Sequence, residues 1–269
     1  MKSFKLIKFT SILYCAALLS FGPNVHALEE LPRFKWDKVI NTPPAADSNQ
    51  SFQVLHFRTK SKDYNLDARA ISFVNKNMSK AKQFISDADV TRFAVDQATL
   101  DGTFVELGFC TGKTINFIAA LKPTKIIYGF DSFEGMAEDW DKGYVQIRKG
   151  TFKVVDQNFV PPVLNNVKLY KGWFKDTLPK FVEEILQDKP IAFLHVDCEI
   201  YSSTKEAFDA LHNHIVPGTV ILFDEFYNYP EFEKHEYKAF VEFLKSKNLK
   251  AEYLGFNKKH EQVVIRVVS

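Results

Sequence analysis

The sequence predicts a doubly wound α/β fold: a mostly parallel, seven-stranded sheet behind a helical N-terminal cap. Three observations carry this. From Gly102 onward, short apolar runs alternate with amphipathic stretches, the pattern of βαβ units whose helices cover both faces of a parallel sheet. The last two runs leave little room for a helix between them, so they should pair antiparallel at an edge. Glycines and carboxylates follow one run after another, at the strand ends where open α/β sheets bind ligands.

In chain order, residues 1–27 read as a targeting segment. Lys2, Lys5 and Lys8 precede an uncharged apolar run, Phe9 to Phe21, then Pro23 and the small-residue site Val25-His26-Ala27. The run is short for a membrane span, which needs about 20 apolar residues. It predicts export, periplasmic or secreted, if the segment is cleaved, a cytoplasmic protein otherwise, and no stable membrane span after processing. Residues 28–50, with Pro43-Pro44 at their centre, predict an extended lead-in. Residues 51–100 predict a helical cap, with apolar positions such as Phe73, Val74, Phe84, Ile85, Val90 and Phe93 and no clear strand. Residues 101–269 form the main domain. Its expected strands are Thr103–Leu107, Lys125–Phe130, Val167–Lys171, Ile191–Val196, Thr219–Phe223, Lys250–Gly255 and Gln262–Val267. Helices are expected at Lys113–Leu121, Thr177–Gln187, Ser202–Ile215 and Glu231–Ser246.

Composition narrows the function classes. The 269 residues are 46% hydrophobic and 25% charged, which fits a globular protein and excludes collagen-like and low-complexity classes. The 26 phenylalanines predict an aromatic core. Without the three leader lysines the net charge is −1 rather than +2, so nothing electrostatic points to nucleic acid. Three cysteines are too few for a disulfide framework.

The chemistry lies at the strand ends. After the first strand, Glu106-Leu107-Gly108-Phe109-Cys110-Thr111-Gly112-Lys113-Thr114 opens a helix. Its glycines allow a sharp turn and close ligand approach, and helix-terminal N–H groups offer donors. Three residues separate Gly108 from Gly112; a phosphate-binding P-loop needs four, so an NTPase is excluded. After the second strand comes Asp131-Ser132, with the acid about 20 residues beyond the glycine loop, where it suits ribose hydroxyls or caps a turn. Trp173 follows the third strand and could flank an adenine or cover the sheet edge. The fourth and fifth strands deliver His195-Val196-Asp197-Cys198-Glu199 and Phe223-Asp224-Glu225-Phe226. Crowded carboxylates raise one another's pKa unless a cation or donors neutralise them. Asp197, Asp224 and Glu225 are oxygen ligands suited to Mg²⁺ or another hard divalent cation. Helix capping and exposure to water explain any one of them, but three together less well.

The series VELGFCTGKT, YGFDSFEG, KGWFKDTLP, LHVDCEIYSST and VILFDEF, spanning about residues 100–225 in order, resembles the macrocin-type O-methyltransferases. These have the class I, Rossmann-like methyltransferase fold and use S-adenosyl-L-methionine (SAM). The resemblance implies that Glu106, Gly108 and Gly112 hold the methionine end of SAM, that Asp131 binds ribose, and that Ser132 and Trp173 lie near adenine. It also implies a Mg²⁺ site from Asp197, Asp224 and Glu225, over which the hydroxyl of a small sugar- or polyketide-like acceptor docks. The family carries Asp where this chain has Glu225 and Glu199. Asp197 is the expected catalytic proton acceptor; the lysine base of related catechol enzymes is excluded, because its position holds Ile200. His195 is expected to be structural, and His235 is a second candidate base. Phe226, Tyr227, Tyr229 and Pro230 wall the acceptor site or simply pack.

Cys110 and Cys198 follow neighbouring strands, so a disulfide is conceivable in an oxidising compartment, with two independent thiols the favoured expectation. The competing functional class is a secreted SAM-binding protein of the same fold without methyl transfer; a kinase- or phosphatase-like metal enzyme is a third. Whether the chain forms a homo-oligomer is open.

Overall fold

A computed structural model of the chain describes residues 28–31, 68–154, 156 and 158–269. The expected targeting segment, nearly all of the lead-in and the cap through residue 67 lie outside the described residues. The elements are α1 (Ala68–Asn77), β1 (Lys82–Phe84), α2 (Asp87–Gln97), β2 (Thr103–Leu107), α3 (Lys113–Leu121) and β3 (Ile127–Asp131). A small hairpin, β4 (Trp140–Asp141) and β5 (Gln146–Ile147), precedes β6 (Val167–Lys171), α4 (Phe174–Phe181), β7 (Ile191–Val196) and α5 (Tyr201–Leu211). The chain ends with β8 (Val220–Phe223), α6 (Glu236–Lys247), β9 (Lys250–Asn257) and β10 (Val263–Val268).

The main sheet has eight strands in the order β1-β9-β10-β8-β7-β2-β3-β6, one more than expected. The additional strand, β1, runs parallel to β9 at the edge and ties the cap to the main domain. It spans three mostly exposed residues, too short to show an alternating pattern. The antiparallel pairing expected for the last two strands is present, β10 lying between β9 and β8. Strands β2, β3, β6, β7 and β8 pair in parallel. From β2 the chain steps outward to β3 and β6, then returns through β7 to β8, so the topological switch lies between β2 and β7. Every residue of β7 and β8 is buried, as a strand covered on both faces requires.

One apolar layer packs α4, α5 and α6 on the sheet through Leu107, Phe130, Val196 and Phe223. The other packs α2 and α3 through Phe104, Ile127, Phe193 and Leu222. The expected aromatic core is real: Phe208, Phe223, Phe226 and Phe240 meet in successive ring contacts. On α1, Phe73 packs edge-on against Phe226, Phe232 and Tyr237. Phe226, Tyr227 and Tyr229 are buried in this core, so they are packing residues rather than an acceptor wall.

Three helices differ from expectation, the one expected at Ser202–Ile215 by ending at Leu211. The one expected at Thr177–Gln187 starts a turn earlier, at Phe174, and passes into a π-helical turn at Val182–Leu186. The one expected at Glu231–Ser246 is divided into a 3₁₀ turn, Phe232–Lys234, and α6. The break is His235 (φ −114°, ψ −126°), outside helical space. Among the described residues no helix is long and apolar enough to cross a membrane.

Candidate active site

A cavity of about 470 Å³ opens over the switch point, lined from the loops after β2, β3, β6, β7 and β8. That size suits a small-molecule site. Gly108 is the tightest element of its floor. Its φ is +85°, and a Cβ there would stand 1.8 Å from the Asp197 carbonyl oxygen. The loop after β2 thereby lies directly on the loop after β7. Glycine is required on both counts.

The same loop is held from the other side by Asp131. Its Oδ2 accepts the Cys110 N–H at 2.8 Å and its Oδ1 the Phe133 N–H at 2.7 Å. Burial pushes the Asp131 pKa upward, and these backbone donors oppose the shift. Asp131 also lines the cavity, and a carboxylate has about four acceptor positions, so it can both shape the loop and accept a ribose hydroxyl. Ser132 lines the cavity and accepts the Glu134 N–H at 3.0 Å. Trp173 lines it from the residue preceding α4, after Gly172 (φ +147°).

Two residues implied to hold SAM lie elsewhere. Glu106 does not line the cavity. It is fully buried, and its Oε2 lies 3.4 Å from His195 Nδ1 in the register partner on β7. Burial drives the Glu106 pKa up, opposed by His195. Burial alone would lower that of His195, but Glu106 and the nearby acids outweigh it and raise it to about 9. The contact is a buried ion pair between the strands without a hydrogen bond, and His195 packs inside the sheet as expected. Gly112 is the left-handed residue (φ +80°) opening α3, where a Cβ would meet Pro161 Cβ at 3.0 Å. It aims the helix, while its neighbours Lys113 and Thr114 line the cavity.

At the other end the carboxylates converge. Oxygens of Asp197, Glu199 and Glu225 all lie within 4.8 Å of one another. Burial, then the charges of neighbouring acids, pushes all three well above the usual carboxylate range. Glu225 Oε2 is buried without a hydrogen-bond partner. A carboxylate with an orphaned buried oxygen, grouped with two more carboxylates, fits a hard cation. Asp224 also lines the cavity, but its Oδ1 accepts Gln262 Nε2 at 2.9 Å. Gln262 in turn accepts Asn257 Nδ2 at 3.0 Å. Asp224 thus flanks the trio with one oxygen committed, and Glu199 joins the acids that the sequence set out. Glu199 sits at φ +60°, a left-handed conformation uncommon outside glycine and concentrated at functional sites.

The remaining candidates fall away from the chemistry. His235 Nε2 lies 2.8 Å from the Asp141 carbonyl, and burial lowers its pKa; it does not line the cavity. Ile200 is buried at the start of α5. Cys110 and Cys198 are free thiols, so the conceivable disulfide is absent.

A family model described as Macrocin-O-methyltransferase (TylF) matches residues 22–254. A curated relative, the 8-demethyl-8-(2,3-dimethoxy-alpha-L-rhamnosyl)-tetracenomycin-C 4'-O-methyltransferase of Streptomyces olivaceus, is 27% identical over 159 residues, 51% of this chain. The match covers only 59% of that protein's length. Among solved structures, the calicheamicin methyltransferase CalS11 aligns with TM-score 0.55 and 19% identity over 88% of this chain and 98% of its own. The O-methyltransferase NovP aligns with TM-score 0.51 and 19% identity over 68% of this chain and 79% of its own. At these identities the structural likeness establishes the fold, that of class I methyltransferases. The family model extends over most of the sequence, and the chain belongs to the macrocin O-methyltransferase (TylF) family.

Proposed function

We propose that the protein is a SAM-dependent O-methyltransferase acting on a hydroxyl of a small sugar- or polyketide-like acceptor, with Mg²⁺ held by Asp197, Glu199 and Glu225 beside Asp224. The observation that carries this is the single cavity joining Asp131 and Trp173 to the acidic trio across the switch point. When bound, SAM would supply a methyl group activated on a sulfonium, and Mg²⁺ would orient the acceptor hydroxyl and lower its pKa.

The chain's own residues supply binding and orientation. Backbone donors at the start of α3 suit the cofactor's carboxylate, and Asp131 suits its ribose. The contact between Gly108 and Asp197 sets the cofactor end of the cavity against the acidic end, the apposition that in-line transfer needs. Asp197, a carboxylate at the acidic end of the same cavity, is our candidate to accept the acceptor's hydroxyl proton.

The test is transfer of isotope-labelled methyl from SAM to a panel of hydroxylated sugars and polyketides, with Mg²⁺ and with chelator. Label in an acceptor, lost on chelation and restored by Mg²⁺, is expected. Thermal stabilisation by SAM with no transfer and no metal response would instead identify a binding protein. Stabilisation by ATP but not SAM would overturn the reading.

A further inference from the structure

Glu236, the first residue of α6, has no exposed surface. Among the described residues it forms no ion pair. Its two carboxylate oxygens accept two backbone donors from different loops: Oε1 takes the Glu199 N–H at 3.2 Å and Oε2 the Glu225 N–H at 3.3 Å. Those donors belong to two of the three residues whose carboxylates converge. A single buried side chain therefore joins the loop after β7 to the loop after β8 from beneath.

Only a carboxylate offers two equivalent acceptor oxygens to two converging N–H groups; an amide would turn an NH₂ toward one of them. Placing an acid under three others is electrostatically unfavourable, so an apolar residue would be the expected choice if packing were the only requirement. The break at His235 sets the geometry, because it begins α6 at Glu236. A carboxylate is also favoured there by the helix dipole. The bond to Glu199 holds a non-glycine residue at φ +60°, a conformation that needs outside support.

We propose that Glu236 is a positioning residue that clamps the Glu199 and Glu225 turns so that the carboxylates of Asp197, Glu199 and Glu225 face one cation. This deepens the proposed function and rests on its metal site.

The test uses the full chain and two readouts, backbone amide exchange and Mn²⁺ affinity without acceptor or SAM. Replacing partners that orient metal ligands typically weakens metal binding about 10- to 100-fold. Glu236→Gln is expected to speed exchange of the Glu199 and Glu225 amides and to weaken Mn²⁺ binding within that range. S-adenosylhomocysteine affinity should stay within about twofold, because the residues proposed to bind it lie on other loops. Glu236→Asp, which restores two acceptor oxygens on a shorter stem, should recover part of the Mn²⁺ affinity. It serves as the test variant if Glu236→Gln does not fold, and it is then expected to weaken Mn²⁺ binding at the mild end of that range. Unchanged amide exchange, or unchanged Mn²⁺ affinity with the amides released, overturns the clamp and leaves the metal site standing. If the wild-type protein binds no Mn²⁺, the metal site falls, and the clamp's role falls with it.

Discussion

Gly108→Ala tests whether the two ends of the cavity are mechanically joined. The substitution has two costs that the structure separates. Holding an L-residue in left-handed space costs about 1–2 kcal/mol. The new methyl would also stand 1.8 Å from the Asp197 carbonyl oxygen, and relieving such overpacking costs about 1–3 kcal/mol more. The total is about 2–5 kcal/mol, a fall in Tm of roughly 4–20 °C at about 2–4 °C per kcal/mol. Gly150 is the control. It has a similar φ of +79° but nothing within 4 Å of a built Cβ, so Gly150→Ala carries only the backbone cost. Calorimetric or fluorescence melting of both variants isolates the contact. Relief on the order of 1 Å at Asp197 should also cost on the order of 10²-fold in turnover. A Gly108→Ala variant that melts no lower than Gly150→Ala and turns over like wild type would show that the two loops are not joined.

Other predictions follow from the same geometry. Asp197→Asn should fold normally but lose metal-dependent transfer; wild-type turnover would remove Asp197 from the chemistry. Gln262→Leu would leave Asp224 Oδ1 without this donor and Asn257 Nδ2 with Asp87 Oδ1 in place of two acceptors. Leaving buried polar groups unpaired costs about 1–3 kcal/mol, so urea titration should show that loss, and an unchanged midpoint would contradict it. The Cys110 thiol is pushed up to about 11 by burial and nearby acids. Because only the thiolate reacts, its alkylation at pH 8 should be slower than that of a free cysteine. The rate should climb steadily as pH rises toward 11, and S-adenosylhomocysteine should protect the thiol, since Cys110 lines the cavity. A rate that levels off near the ordinary cysteine pKa would refute the shift.

Much of the architecture was legible because buried parallel strands write themselves as apolar runs, and the runs at Ile191–Val196 and Val220–Phe223 are buried along their whole length. β1 was not legible, because three residues owe their strand state to β9, some 170 positions away. Asp131, Ser132, Trp173, Asp197, Asp224 and Glu225 all reach the cavity, since the residue after a parallel strand must emerge at the sheet's carboxyl edge. Glu106 shows the limit of a motif carried over by resemblance. It alternates with Val105 and Leu107, which face the other layer, and its partner His195 appears only once β2 and β7 are paired. The commitment of Asp224 to Gln262, and hence the prominence of Glu199, depends on a hairpin that returns 38 residues later. No local pattern announces that.

The most direct measurement is a crystal structure with S-adenosylhomocysteine and Mn²⁺, using anomalous scattering to locate the metal. One Mn²⁺ peak is expected among the carboxylates of Asp197, Glu199 and Glu225, with a nucleoside between Asp131 and Trp173. A nucleoside outside this cavity, or a saturated crystal with no anomalous peak among those carboxylates, would contradict the proposed function.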